Sequence, residues 1–295
     1  MSVSKNTLLI GGLNVNVYSL PSTSRPISVL FLLHGRTRSS ADNEGVAEQL
    51  LKEISEKDRA SSSNLDLLVV TFDHRNHGSR EVNSLANIGW NEFGLNNDRH
   101  AVDMYSIQVG SALDVSFLID FLPAFLYPNG ERSIQQWSVS GVSLGGHSAW
   151  ITLRNDPRVK VGIPIIGGAD YLALMSKRAK TSGIQLKPPY LPESLRQVIE
   201  ANDPVHAPYE LSDSSNPFYG KKILALSGAE DLLVPFAATE PFFEKLNVGP
   251  NGVKKVILEA GVGHKCTTEM IHQMAEFIWK EVLAVPSHST PISSL

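Results

Sequence analysis

Six short apolar runs, separated by longer stretches of helical or irregular character, constrain this chain more than any other feature. They are 27–35 (ISVLFLLHG), 65–73 (LDLLVVTFD), 134–141 (IQQWSVSG), 159–168 (VKVGIPIIGG), 221–228 (KKILALSG) and 253–264 (VKKVILEAGVGH). Runs of this length with little polar alternation fit strands buried on both faces of a parallel sheet. The intervening segments 42–57, 103–122, 238–247 and 267–284 carry apolar residues at helical spacing, and a further helix starts near Leu144. Asp42 and Thr267 stand where N-caps are expected. Strand–helix alternation of this kind predicts βαβ units and a mainly parallel sheet covered on both faces. The stretch 6–20 (NTLLIGGLNVNVYSL) reads instead as an antiparallel pair at one edge.

Between Gly168 and Gly220 the rhythm stops. This stretch carries Pro188, Pro189, Pro192, Pro204, Pro208 and Pro217 and a basic patch, SKRAK, at 176–180. A segment this long inside a compact domain carries small helices or a function. It is expected to be a cap-like insertion, 168–220, within one domain spanning 1–295.

Composition narrows the classes of function. The chain has 295 residues, 42% hydrophobic and 19% charged, with a formal net charge of −4. No basic stripe suits nucleic acid. One cysteine, Cys266, permits no internal disulfide framework and fits a reducing compartment. The apolar run before Gly11 is too short for a signal-peptide core or a membrane span. The expected location is cytoplasmic. The expected partner is a small-molecule substrate, without nucleic acid or membrane, and with a homodimer left open. The tail 285–295 reads as a frayed end that only loosely matches a peroxisomal address.

Ser143 sits in Gly141-Val142-Ser143-Leu144-Gly145, between an apolar run and a helix start. A sharp strand-to-helix turn needs small neighbours and leaves the serine Oγ exposed beside a helix N-terminus. A serine hydroxyl needs a base, and the base needs an orienting carboxylate. Asp231 follows the run at 221–228 and His264 ends the run at 253–264, giving the chain order Ser, Asp, His.

These elements resemble the α/β-hydrolase superfamily. LLHG at 32–35 is similar to its His-Gly element, and FDHRNHGSR to its Asp-x-Arg-x-x-Gly turn. GVSLGG, GAEDLLVP and GVGH look like its nucleophile, acid and histidine elements. Within the superfamily the pattern is nearest the dienelactone-hydrolase and prolyl-oligopeptidase-like group. The chain departs from one esterase branch by reading His34-Gly35-Arg36-Thr37 instead of His-Gly-Gly-Gly, and it has Asn76 where a glycine is usual. The resemblance implies an eight-stranded, mainly parallel α/β-hydrolase sheet flanked by helices. It also implies a Ser143–His264–Asp231 triad with an oxyanion hole formed by the N–H groups of Leu144 and Arg36. Trp90, Tyr171 and Leu172 are the expected substrate contacts, with no cofactor and no metal.

Competing residues surround each assignment. Glu230 adjoins Asp231, while His34, His74, His77, His100 and His147 compete with His264. Asp73 and Arg75 are read as a structural pair, and Cys266 as a small residue at a helix start. The expected activity is hydrolysis of an ester, thioester or lactone of a small to medium apolar substrate. Peptide hydrolysis, non-hydrolytic use of the same triad (acyl transfer, carbon–carbon cleavage or condensation) and a non-catalytic binding role are the alternatives.

Overall fold

The computed structural model describes residues 2–21 and 23–284. Its centre is a sheet of eight strands: β1 (Ser4–Ile10), β2 (Leu13–Ser19), β3 (Ile27–Leu33), β4 (Asp66–Phe72), β5 (Ile134–Val142), β6 (Val159–Ile165), β7 (Lys222–Gly228) and β8 (Val253–Glu259). Their spatial order is β1-β2-β4-β3-β5-β6-β7-β8. The sheet is mixed. β2 pairs antiparallel with both neighbours, and every pairing from β4 across to β8 is parallel. The antiparallel edge pair expected over 6–20 is β1 and β2, joined at Gly11 and Gly12.

Side-chain alternation on the central strands fills two cores. Val29, Phe31 and Leu33 of β3 and Val70 and Phe72 of β4 face one cluster, while Leu30, Leu32, Leu67 and Val69 face the other. The first cluster is covered by α2 (His100–Leu126), α3 (Leu144–Asn155) and α6 (Glu240–Lys245). The second is covered by α1 (Glu44–Ala60) and α7 (Thr268–Ile278). Truncating a side chain such as Phe31, which has no exposed surface, to alanine would cost about 3–5 kcal/mol through lost transfer energy and the cavity left behind.

Local capping explains where the helices start. Thr267 accepts a hydrogen bond from the Met270 N–H at the start of α7. Asp42 does not cap α1; a short 3₁₀ turn precedes the helix, and Asp42 accepts from the Ser39 N–H and hydroxyl at the front of that turn. Asp73 and Arg75 both tie loops together, but not to each other. Asp73 accepts from the N–H groups of Ser40 and Ser79 and from the Ser79 hydroxyl, whereas Arg75 pairs with Asp114 at 2.9 Å. Asn76 takes φ +59° in that turn, a left-handed conformation that asparagine tolerates better than most residues.

The stretch 168–220 holds α4 (Tyr171–Thr181), α5 (Glu193–Asn202) and a short turn at 204–206, with no strand. Its apolar residues join Ala101, Met104 and Tyr105 of α2 and Leu144 and Ile151 of α3 in a third cluster. α5 contacts α2 and α3. The tail 285–295, with its loose peroxisomal match, lies outside the described residues.

Candidate active site

β5 ends at Val142 and α3 begins at Leu144, so Ser143 is the whole turn between them. Its φ of +56° and ψ of −109° hold a non-glycine residue in a strained conformation. Its neighbours show why they are glycines. A Cβ on Gly141 would lie 2.4 Å from the carbonyl of Gly145, and one on Gly145 would lie 2.4 Å from the Leu33 carbonyl oxygen. The turn is pinned by Ser143 N–H to Ile165 O at 2.9 Å and Gly145 N–H to His34 O at 3.0 Å.

The acid and histidine come from neighbouring strands, β7 and β8. Their loops are laced together: Ala229 N–H donates to Glu259 O and Glu230 N–H to Val262 O, both at 2.9 Å. This brings His264 Nδ1 to 2.7 Å from Asp231 Oδ2 and His264 Nε2 to 2.8 Å from Ser143 Oγ. The other carboxylate oxygen, Asp231 Oδ1, accepts from the N–H groups of Leu233 and Val234, each at 2.9 Å. Burial alone would raise the Asp231 pKa. The His264 ring and these backbone donors outweigh it and hold the carboxyl below its ordinary range. Glu230 is exposed, so the geometry separates the two adjacent acids.

The ionised Asp231 can only accept, so the proton between it and His264 sits on Nδ1. Nε2 then presents its lone pair to the Ser143 hydroxyl. The competing histidines are occupied elsewhere. His34 Nδ1–H donates to Gly35 O, and His34 Nε2 accepts from the His74 N–H. His77 Nδ1–H donates to Arg75 O. His147 lies buried against Gly168, and burial drops its pKa to about 4. Cys266 directly precedes the cap of α7, and burial pushes its thiol up to about 11. Among the described residues, no group of three or more His, Cys, Asp or Glu side chains could hold a metal.

A Cβ on Gly35 would lie 3.9 Å from Ser143 Cβ, so the residue before Arg36 sits beside the serine. Among the described residues, neither the Leu144 N–H nor the Arg36 N–H has an acceptor in the protein. The Arg36 side chain turns away and grips Glu92 with two hydrogen bonds of 2.7 Å, adding a third of 2.7 Å to Asn87 O.

A cavity of about 370 Å³ lies against the loops that carry Arg36 and Asp231, and none of the three triad side chains lines it. Arg36, Trp90 and Leu232–Leu233, which follow the acid, line one part; Lys177 and Arg178 of α4 line another. Of the three expected substrate contacts, only Trp90 borders this space. Tyr171 is buried in the third cluster, donating its hydroxyl to Ala101 O at 2.6 Å, and Leu172 packs against the same cluster. The first turn of α4 points inward, because the Asp170 cap and the Asp203 contact to the Tyr171 N–H anchor it there. Glu92 and Arg178 were not singled out from sequence. The only trace of Arg178 was the basic patch at 176–180; Glu92 had no local signal, since its partner lies 56 residues away.

No protein-family model matches the chain, and no curated protein matches it in sequence. Solved structures do match in shape. TT1662 from Thermus thermophilus superposes with a TM-score of 0.69 at 19% identity, covering 95% of this chain and 98% of its own. The Pyrococcus furiosus esterase Pf2001 gives a TM-score of 0.53 at 19% identity, with 95% and 92% covered. An acylaminoacyl peptidase from Pyrococcus horikoshii gives 0.60 at 13% identity; 95% of this chain aligns with 41% of that longer one. With its strand order and the turn at Ser143, this likeness gives the chain the α/β-hydrolase fold.

Proposed function

We propose that the chain is a serine hydrolase that cleaves a carboxylic ester, thioester or lactone through an acyl-enzyme. The observation that carries this reading is the continuous relay from Asp231 through His264 to Ser143, with both hydrogen bonds between 2.7 and 2.8 Å. Shape likeness to esterases supports the substrate class. The cavity volume falls in the range used for small ligands.

Ser143 Oγ attacks the substrate carbonyl carbon as its proton passes to His264 Nε2. The carbonyl π electrons move onto oxygen, and Asp231 stabilises the imidazolium that forms. The N–H groups of Leu144 and Arg36 receive the oxyanion; losing one such donor typically costs roughly 10²–10³ in rate. Collapse of the tetrahedral intermediate expels the leaving group, which takes the proton from His264. Water then repeats the sequence on the acyl-enzyme, with His264 as base. No cofactor enters either half.

A fluorophosphonate probe tests this reading. Covalent labelling mapped to the peptide containing Ser143, and lost in Ser143→Ala, is the expected result. Full labelling of that variant, or no labelling of the folded wild-type protein, would overturn it.

A further inference from the structure

The cationic side of the cavity is unusual for a pocket that takes plain apolar esters. Arg178 is partly buried in the last turns of α4, and no carboxylate oxygen among the described residues lies within 4.0 Å of its guanidinium. Its Nη1 donates to His100 Nε2 and to Met104 Sδ, both at 3.2 Å. Its Nε is buried with no acceptor among the described residues. The His100 contact does not neutralise it: Nδ1–H of that ring donates to Ile88 O, which leaves Nε2 as a neutral acceptor. Lys177 adds a second cation on the same wall, without an ion pair among the described residues.

The one carboxylate lining the cavity among the described residues, Glu92, is already held by both arms of Arg36. Asp231 is committed to His264. The Trp90 indole N–H is also buried without an acceptor among the described residues. A guanidinium taken partly out of water without a counter-charge is costly unless something anionic completes it. Arginine's planar fork suits carboxylate and phosphate oxygens.

We propose that the substrate's acyl group carries an anionic terminus, a carboxylate or a phosphate, which docks on Arg178 at the cationic wall of the cavity while its carbonyl lies at Ser143. The inference names the substrate class for the hydrolase reading above and rests on it. It replaces a uniformly apolar acyl pocket by one with an apolar wall at Trp90 and Leu232–Leu233 and a charged end.

Two measurements test it. In the first, mono-4-nitrophenyl glutarate is compared with 4-nitrophenyl valerate, which has the same chain length and no charge. The wild-type protein should favour the charged ester in kcat/KM by about tenfold to a hundredfold, the range expected of a hydrogen bond between charged groups. Arg178→Met should bring the ratio close to one, and Arg178→Lys should retain part of it. In the second, glutarate and inorganic phosphate are titrated calorimetrically into wild-type protein and both variants. Saturable binding that weakens in Arg178→Met supports the site, and the tighter of the two anions identifies its chemistry. Absence of binding by either anion overturns it whatever the turnover, as does a preference for the charged ester that survives in a folded Arg178→Met protein. Anion binding that depends on Arg178, with no turnover and no fluorophosphonate labelling, would leave the anion site standing and sink the hydrolase reading.

Discussion

Arg36 holds Glu92 through two parallel hydrogen bonds of 2.7 Å, tying the loop after β3 to the irregular segment that carries Trp90. The pair is only partly exposed, and the guanidinium keeps the Glu92 carboxyl below its ordinary range. Its significance lies in the Arg36 backbone N–H, proposed to receive the oxyanion. Fixing the side chain fixes the direction of that N–H.

Glu92→Gln should therefore act through position instead of chemistry. It removes one charge and one of the two matched acceptors, and the loop at 34–37 loosens. Steady-state kinetics should show kcat reduced by about tenfold to a hundredfold, in line with small misplacements elsewhere, with KM changed much less. A variant with unaltered kcat would show that the loop is held without Glu92.

Asp231→Asn should lower kcat by about 10⁴, because an amide can donate to Nδ1 and stabilise the wrong tautomer of His264. Glu230→Gln, one residue away and exposed, should leave kcat within about twofold. The reverse pattern in kinetics on a neutral 4-nitrophenyl ester would assign the acid to Glu230.

Ser143→Gly should abolish turnover and raise stability. Glycine accepts φ +56° without the Cβ cost, and a strained non-glycine residue stores about 1–3 kcal/mol. Part of that gain is offset by the added freedom of glycine in the unfolded chain. Urea melts should show a higher midpoint than wild type. A lower midpoint would place the strain outside this turn.

Buried histidines should make stability fall in mild acid. Burial holds His34 at about 4, His147 at about 4 and His100 at about 3, with the neighbouring Arg178 charge adding to the effect at His100. Unfolded histidine titrates near 6.5, so between these values the unfolded chain binds more protons than the folded one. Stability then rises with pH through this window and is lost as pH falls below about 6.5. Each group contributes a slope of up to about 1.4 kcal/mol per pH unit. Urea midpoints at pH 7, 6 and 5 should decline steeply; a flat series would mean the rings are charged in the folded state.

Local pattern made the strands, the turn at Ser143 and the order Ser, Asp, His readable, because each depends on short-range constraints: apolar period, glycine spacing and loop residues just past a strand. Pairings across space were not readable. Arg75 finds Asp114 across 39 residues and Arg36 finds Glu92 across 56, so no window of sequence joins them. Tyr171 illustrates the same limit. Its place in an apolar-rich insertion suggested a pocket residue, but which side of α4 faces the core is decided by Asp203 and Ala101, distant in the chain. Arg178 lies nearly two turns further along the same helix and on nearly the same face, where the cavity takes the place of the cluster that buries Tyr171.

The lacing of the loops after β7 and β8 also affects how the protein would fail under heat. β8 is an edge strand, and four of its seven residues are exposed to water. Seven register pairs with β7 are its sheet connection. Fraying of that edge carries away the loop that bears His264 and, with the bond from Glu230 N–H to Val262 O broken, frees the Asp231 loop as well. The site's durability is thus set by the weakest rim of the sheet, while its centre, from β4 to β6, can stay intact around a serine that has lost both partners.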